Sequence, residues 1–257
     1  MDLEELVRDR LPVNPPYDGW VAQAYDVWLP PDGNYSDRDI YRGIIAEGGG
    51  PALELGCGNG RLLIGYAQDG LEVEGVDASA DMLAICAGHA REAGVTVPLH
   101  HADWLTLALG KQYATVYVPA GSFALLDDVD DARTALVAWR DHLRPGGQLV
   151  LSAGEPPPVT DYYEWRVRRS GTRASDGLTF MVHEAIAADT DAQLHHDLNR
   201  HEVWDRNGEL VTTFIRRHRI RWWKQEQLVQ LLTECGYVDA TSRGSDDGYL
   251  AIGRAAE

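Results

Sequence analysis

The run Pro51-Ala-Leu-Glu-Leu-Gly-Cys-Gly-Asn-Gly60, followed by Gly75-Val-Asp77, limits the fold more tightly than any other part of the chain. Ala52, Leu53 and Leu55 form a short apolar stretch of the kind that becomes a buried parallel strand. Gly56, Gly58 and Gly60 then open a turn where backbone can approach a ligand, because glycine has no Cβ and accepts positive φ. Helical spacing follows over 61–68, and 71–77 reads as a second strand ending on an acid. Together these make half of a nucleotide-binding βαβ unit.

The alternation continues downstream. Ser79 can cap a helix running through Met82, Leu83, Ile85 and Cys86 to about 93, and 96–101 reads as a third strand before Ala102-Asp103-Trp104. A fourth strand over 114–118 reaches Pro119-Ala-Gly-Ser122. An amphipathic helix over 128–142 places Leu136, Val137, Trp139 and Leu143 near its apolar side, and Arg144-Pro-Gly-Gly147 reads as a turn into a fifth strand, 148–153. Such alternation demands a parallel sheet with right-handed crossovers and helices on both faces. After Pro156-Pro-Pro158, four further strands are expected over 162–169, 178–187, 193–205 and 210–223, with Asn207-Gly208 marking a hairpin. A helix over 225–235, closed by Gly236, and strands at 238–242 and 249–253 complete the main sheet.

The predicted fold is therefore α/β: a doubly wound, mostly parallel seven-stranded sheet with an antiparallel insertion after strand 5 and an N-terminal helical lid. It reads as one domain over 1–257. Residues 1–50 are the lid, 51–155 the core, 156–223 the cap over the substrate, and 224–257 the last helix and strands. In the lid, a short helix over 2–10 ends at Pro12, Pro15 and Pro16, and Tyr17, Trp20, Tyr25 and Trp28 fall within twelve residues. A helix over 35–46 has Ser36 as its cap and Ile40, Ile44 and Ile45 on one face. The aromatic rings either cover the sheet as core or close over its ligand edge.

Composition excludes several function classes. A formal charge of −17 over 257 residues argues against a broad nucleic-acid footprint, which needs Lys and Arg in clustered excess. Cys57, Cys86 and Cys235 are far apart with no CxxC, which suggests neither a disulfide framework nor a zinc site and fits a reducing cytoplasm. The N-terminus is acidic where a signal peptide is basic and then apolar, and no apolar run reaches the ~18 residues of a membrane span. A soluble, cytoplasmic protein is expected.

Ligands of such sheets sit at the carboxyl ends of the strands, where Glu54, Asp77 and Asp103 fall. Asp77 can accept both hydroxyls of a ribose, Asp103 can accept from a purine amine, and Met82 and Trp104 can sandwich a flat base. Each acid taken alone also reads as a cap or turn residue. Glu54-Leu-Gly-Cys-Gly-Asn-Gly60, Gly75-Val-Asp77, Ala102-Asp103-Trp104 and Leu143-Arg-Pro-Gly-Gly-Gln-Leu-Val150, in that order, resemble the successive motifs of the class I S-adenosylmethionine-dependent methyltransferases. The resemblance spans about 51–155. It implies S-adenosylmethionine as cofactor and S-adenosylhomocysteine as product, held by Tyr25, Glu54, Gly56, Cys57, Gly58, Asp77, Ala78, Met82, Ala102, Asp103, Trp104 and Ala120. Within that set, Gly56 and Gly58 would hold the methionine part, Asp77 the ribose, Asp103 and Trp104 the adenine, and Ala120 or its neighbours the amino group. A nicotinamide dinucleotide fits less well. Its site wants GxGxxG, and an acid at Glu54 would repel a pyrophosphate while suiting a sulfonium.

The acceptor is read from the remainder. Insertions after strand 5 are similar, more loosely, to those of amino-sugar and glycine N-methyltransferases, which implies methyl transfer to N or O of a small molecule. The alternative is a cofactor-binding protein of the same fold that transfers nothing. Candidate substrate residues are Tyr17, Trp20, Phe123, Trp165, His196 and Trp222. No catalytic base is assigned, because Leu125 stands where the sugar-amine enzymes carry His or Tyr. The insertion histidines lack HExxH spacing and read as paired polar residues rather than metal ligands. In the strand over 193–205, Leu194, His196, Leu198, Arg200, Glu202 and Trp204 share the face expected to be buried, with His195, Asp197, Asn199, His201 and Val203 opposite. Arg216-Arg-His-Arg-Ile-Arg221 either binds an acidic substrate or pairs across strands.

Overall fold

The computed structural model describes residues 11–154, 165–245 and 248–257. Ala52–Leu55 (β1), buried along its whole length, lies inside the main sheet. It pairs in parallel with Val73–Asp77 (β2) on one side and Tyr113–Val118 (β4) on the other. Leu99–His101 (β3) extends the sheet beyond β2, and Leu143–Ala153 (β5) extends it beyond β4. Gly248–Arg254 (β11) and Val238–Ser245 (β10) close the far edge as an antiparallel pair, giving the order β10-β11-β5-β4-β1-β2-β3 in a seven-stranded sheet. The strand order reverses between β1 and β4, so the carboxyl end of β1 opens on the crevice where doubly wound sheets bind ligands.

Helices cover both faces. Trp20–Trp28 (α1), Arg38–Gly48 (α2), Leu63–Gln68 (α3) and Ala80–Glu92 (α4) precede β3, while Val129–Arg140 (α5) and Gln225–Glu234 (α6) follow β4 and the insertion. One core layer joins Leu136, Trp139, Leu149, Leu228 and Tyr249, and the other joins Tyr41, Ile45, Leu63, Tyr66 and Ile252. Ser79 Oγ accepts the Met82 N–H at 3.1 Å, so the expected cap of α4 forms. Asp128 caps α5 through the N–H groups of Asp130 and Asp131.

Three local expectations are corrected. The Arg144-Pro-Gly-Gly147 segment lies inside β5, where pairing jumps from Tyr113↔Leu143 to Thr115↔Gln148, so the surplus residues form a bulge and not a separate turn. The second helix begins at Arg38 and turns Tyr41 and Ile45 inward, which leaves Ile40 half exposed at 50%. Val137 likewise faces out of α5. In each helix the apolar stripe is narrower than the apolar residues present.

The insertion is a separate antiparallel sheet, Arg166–Thr172 (β6), Thr179–Asp189 (β7), Leu194–Trp204 (β8) and Leu210–Arg221 (β9), in chain order. The helix expected over 2–10, the triproline and the start of the strand expected over 162–169 lie outside the described residues. Asn14 ties the sheet to the core: its Nδ2 donates to Leu125 O and Arg219 O, both at 2.8 Å, and its Oδ1 accepts the Arg219 N–H. Arg219 also pairs with Asp127, whose carbonyl accepts from Arg221 Nε at 2.8 Å. Most of the basic run is thereby spent on structure. Among the described residues no helix is long and apolar enough to cross a membrane.

Candidate active site

The glycine turn is held from beneath. The N–H groups of Gly56 and Cys57 both donate to Val76 O, at 2.8 and 2.9 Å. Gly58 N–H donates to Asp77 Oδ2 at 2.8 Å, while Asp77 Oδ1 accepts from Ser79 N–H at the same distance. Gly56, Gly58 and Gly60 adopt φ of 74°, 55° and 83°, values that other residues reach only with strain. A methyl group on Gly56 would lie 2.9 Å from Trp104 Cζ2. One on Gly58 would lie 3.1 Å from Met82 Cε and 4.0 Å from Tyr25 Cε1. Tyr25, Met82 and Trp104, which come from three separate segments, thus converge on a cradle that side chains at the glycines would fill.

The acids differ in environment. Glu54 is 2% exposed and accepts the Tyr117 hydroxyl at 2.8 Å. Burial pushes its carboxyl up to about 8, against the pull of that hydrogen bond and of the Arg61 charge. Asp77 is also raised by burial, opposed by the Ser79 and Gly58 N–H groups. Asp103 is exposed, and its Oδ1 caps the short turn Trp104–Thr106 through Leu105 N–H at 2.7 Å. The Cys57 thiol points away from the cradle, since a methyl on Gly75 would sit 2.6 Å from its sulfur, so only Cys57 backbone faces a ligand. Ala102 N–H donates to Asp77 O at 3.2 Å, and Ala78 O lies 3.0 Å from His101 Nε2. Ala120, at φ 58°, turns the loop after β4.

The N-terminal segment is fastened to the same loops. Ser79 Oγ lies 2.9 Å from Tyr17 O and 2.6 Å from Asp18 Oδ1, and Gly19 N–H donates to Asp81 Oδ2. Asn59 of the glycine turn donates to Asp26 Oδ1 and Leu29 O, and Asp26 also meets His89 at 2.7 Å. Arg61 grips Asp37 with two bonds, 2.8 and 2.7 Å. Tyr25 packs edge-on against Tyr17 with ring centres 5.8 Å apart, Tyr17 lies 5.9 Å from the His218 ring, and Arg216 sits over Tyr17 at 4.6 Å. Two tyrosines therefore bridge the glycine cradle to the insertion sheet.

On that sheet the more buried face is opposite to the expected one, although Leu198 and its partner Ala185 on the expected face are buried as well. Asp197, Asn199, His201 and Val203 of β8 are buried, together with Phe180, Val182 and Glu184 of β7 and Arg216 and His218 of β9. Counting apolar residues favours the Leu194 and Trp204 face; the observed interior carries polar residues and packs against the N-terminal segment through Tyr17, Trp20 and Trp28. His201 and His218 are pushed down to about 4 and about 3 by burial and by the Arg216 charge, so both stay neutral at ordinary pH. Asp197 is pushed up to about 7 by burial. Asp197 and Asn199 are not among the expected site residues, whereas Arg216 and His218 fall in the basic run read as binding an acidic substrate or pairing across strands. The signal that would have found them is the register of β8 with β9, which sets Asp197 against His218 and Asn199 against Arg216.

The candidate substrate residues scatter. Tyr17 lies between cradle and cap. Trp222 packs on His195 with ring centres 4.9 Å apart, at one end of the buried face. Trp20 packs against Phe180 within a small apolar cluster joining α1 to β7. Phe123 is fully buried in the main core between Trp139 and Trp223. Trp165 stacks over Arg200, and His196 shares that outer face by strand alternation. A shallow depression lined by Thr172, Met181, Trp204 and Arg206 lies on the outer face as well, away from the glycine turn.

The strand order sets the glycine cradle and three acids, Glu54, Asp77 and Asp103, at the carboxyl ends of the first three strands of a doubly wound sheet. Residues 52–147 match the family model described as a methyltransferase domain, and this segment belongs to that family. A ubiquinone biosynthesis O-methyltransferase of Cronobacter sakazakii is 32% identical over 115 residues, 43% of this chain and 46% of that protein. The chain thus matches about half the length of this curated relative. The CcbJ methyltransferase of Streptomyces caelestis shares the fold at TM-score 0.70 and 22% identity, over 92% of this chain and 96% of that one. The S-adenosylmethionine-bound amino pentose methyltransferase CalS10 of Micromonospora echinaspora does so at TM-score 0.64 and 20% identity, over 90% and 96%.

Proposed function

We propose that this chain transfers a methyl group from S-adenosylmethionine to a nitrogen or oxygen of a small-molecule acceptor held between the glycine cradle and the buried face of the insertion sheet. The observation that supports the reading is the Tyr25–Tyr17–His218 contact chain, which links the glycine turn to the polar, buried face of the insertion sheet.

The residues present fit the donor. Gly56 and Gly58 leave room for a close ligand, and Met82 and Trp104 offer flat apolar walls. Asp77 spends one lone pair of each oxygen on Ser79 and Gly58, which leaves acceptor capacity for ribose hydroxyls. Its position is set by the same bonds that set the glycine turn. Asp103 similarly retains acceptor capacity for an adenine amine. Glu54, sealed beneath the turn, favours cationic over anionic ligands once its carboxyl ionises, above about pH 8. The bound donor supplies an electrophilic methyl carbon on a sulfonium.

What remains for the protein is to align an acceptor lone pair with that carbon and to exclude water. The lid, fastened through Ser79, Asp81 and Asn59, and the cap, fastened through Asn14 and Asp127, provide that enclosure. A proton lost by the acceptor can pass to solvent or to a polar group of the cap. We read the lid, core, cap and final helix as one working unit in the cytoplasm, with no nucleic-acid or membrane partner. Incubation with methyl-labelled donor and a panel of amines, phenols and hydroxy acids tests the reading: label should pass to at least one acceptor. A chain that binds donor yet labels no acceptor would leave the non-transferring alternative.

A further inference from the structure

Two buried, oppositely charged side chains on the inner face of the cap are not paired with each other. Asp197 is 3% exposed, and its Oδ1 has no hydrogen-bond partner among the described residues. Arg216 is 7% exposed; its Nη2 donates to Pro15 O and Pro16 O, while its Nη1 has no hydrogen-bond partner among the described residues. Both sit on adjacent strands of one face, Asp197 opposite His218 and Arg216 opposite Asn199, so they are diagonal neighbours two residues out of register. Diagonal positions place Cβ atoms roughly 7–8 Å apart, a gap that long side chains can bridge. The protein instead leaves the two charges apart.

The surrounding charges do not supply the missing partners. Glu184, on the same face, is taken by Arg166 and Arg168 at 3.1 and 3.2 Å. His218 and His201, beside Asp197 and Arg216, are held neutral by burial. Asp18, whose charge Arg216 feels, is engaged with Ser79. A buried carboxyl with one oxygen unpartnered and a buried guanidinium with Nη1 unpartnered cost free energy that folding alone gives no reason to retain. Arg216 lies over Tyr17, one ring away from the tyrosine that touches the glycine cradle, and Asp197 is the register partner of His218, whose ring Tyr17 meets.

We infer that Asp197 and Arg216 form the two ends of the acceptor site, and that the acceptor is a compact zwitterion, an amine with a carboxylate a few bonds away. Asp197 receives the N–H groups of the amine and Arg216 Nη1 donates to the carboxylate. His218 and Asn199, facing them across the β8–β9 ladder, make the uncharged floor between. The Tyr17 ring, under the Arg216 guanidinium, walls the side toward the methyl donor. This assignment rests on the transferase reading above and narrows it to one class of acceptor.

The test uses the full chain with saturating S-adenosylhomocysteine, titrated by calorimetry with free α-amino acids, their methyl esters and their desamino acids, and in parallel with labelled donor. At least one free amino acid should bind and accept label at least ~10-fold better than both its ester and its desamino form, the scale of a lost charged hydrogen bond. Arg216→Gln should erase the discrimination against the ester, and Asp197→Asn the discrimination against the desamino acid, with S-adenosylhomocysteine affinity unchanged in both. Absence of zwitterion binding to the wild type, equal binding of ester and acid, or discrimination that survives both substitutions overturns the inference. Failure of the wild type to bind S-adenosylhomocysteine would instead remove the donor reading, and zwitterion titration without it would still decide the acceptor.

Discussion

Tyr117 donates its hydroxyl hydrogen to Glu54 Oε2 at 2.8 Å directly below the glycine turn, and both side chains are sealed from solvent. That bond favours the ionised carboxylate, but burial outweighs it and raises Glu54 from 4.5 to about 8. The linkage sign follows. Between these two values the unfolded chain has released the proton and the folded chain keeps it, so stability falls as pH rises through that window. Denaturation midpoints of the ligand-free protein should therefore decline from about pH 5 to about pH 8 more steeply than those of Glu54→Gln. Parallel profiles for the two proteins would show that Glu54 titrates as an ordinary carboxyl.

Gly60 and Gly58 should respond differently to a methyl group. On Gly60 it would meet Cys86 Sγ at 2.7 Å and Ile64 Cγ1 at 2.8 Å in the core, at φ 83°. Left-handed strain and overpacking together make Gly60→Ala destabilising by about 2–4 kcal/mol in chemical denaturation. At Gly58 the nearest atom is the flexible end of Met82, so Gly58→Ala should cost only about 1–2 kcal/mol of backbone strain. Its larger effect should be on donor binding, and a Gly58→Ala protein with unchanged donor affinity would place the ligand elsewhere.

The His89–Asp26 pair fastens α1 to α4. The Asp26 carboxylate beside His89 raises the imidazole above its usual range, while His89 and Asn59 hold Asp26 below its own despite burial. The His89 contribution is complete below about pH 6.5 and is lost as pH rises through the raised value; the Asp26 contribution is lost only in acid. Hydrogen exchange over Trp20–Trp28 should accelerate when pH is raised past the His89 transition, after correction for intrinsic exchange. In Asp26→Ala it should be fast throughout, with a local loss of about 0.5–1 kcal/mol. Exchange insensitive to the substitution would mean that the segment is held by Arg61, Ser79, Asp81 and the Asn59–Leu29 bond without it.

Much of the core was legible because its chemistry repeats a local pattern. The apolar run ending at Leu55, the three glycines and Asp77 are adjacent in sequence and act together in space. The Arg144–Gly147 bulge was not legible, since proline and glycine punctuate a turn and a bulge alike, and only the pairing with β4 decides between them. The cap was misread for a physical reason. Apolar content marks the buried face when the interior is core, but the more buried face of β8 holds Asp197, Asn199 and His201. Trp165 and Phe123 illustrate the same limit: aromatic residues near a site in sequence went to the outer face of the cap and to the main core, where their area is buried against Arg200 and against Trp139 and Trp223.

Calorimetric titration with S-adenosylhomocysteine, run side by side on the wild type and Asp77→Ala, tests the central claim most directly. The wild type should bind, and Asp77→Ala should bind at least ~10-fold more weakly, because the substitution removes the proposed ribose acceptor and the anchor of Gly58 N–H together. No heat from the folded wild type at high micromolar ligand, or equal affinity in the two proteins, would contradict it.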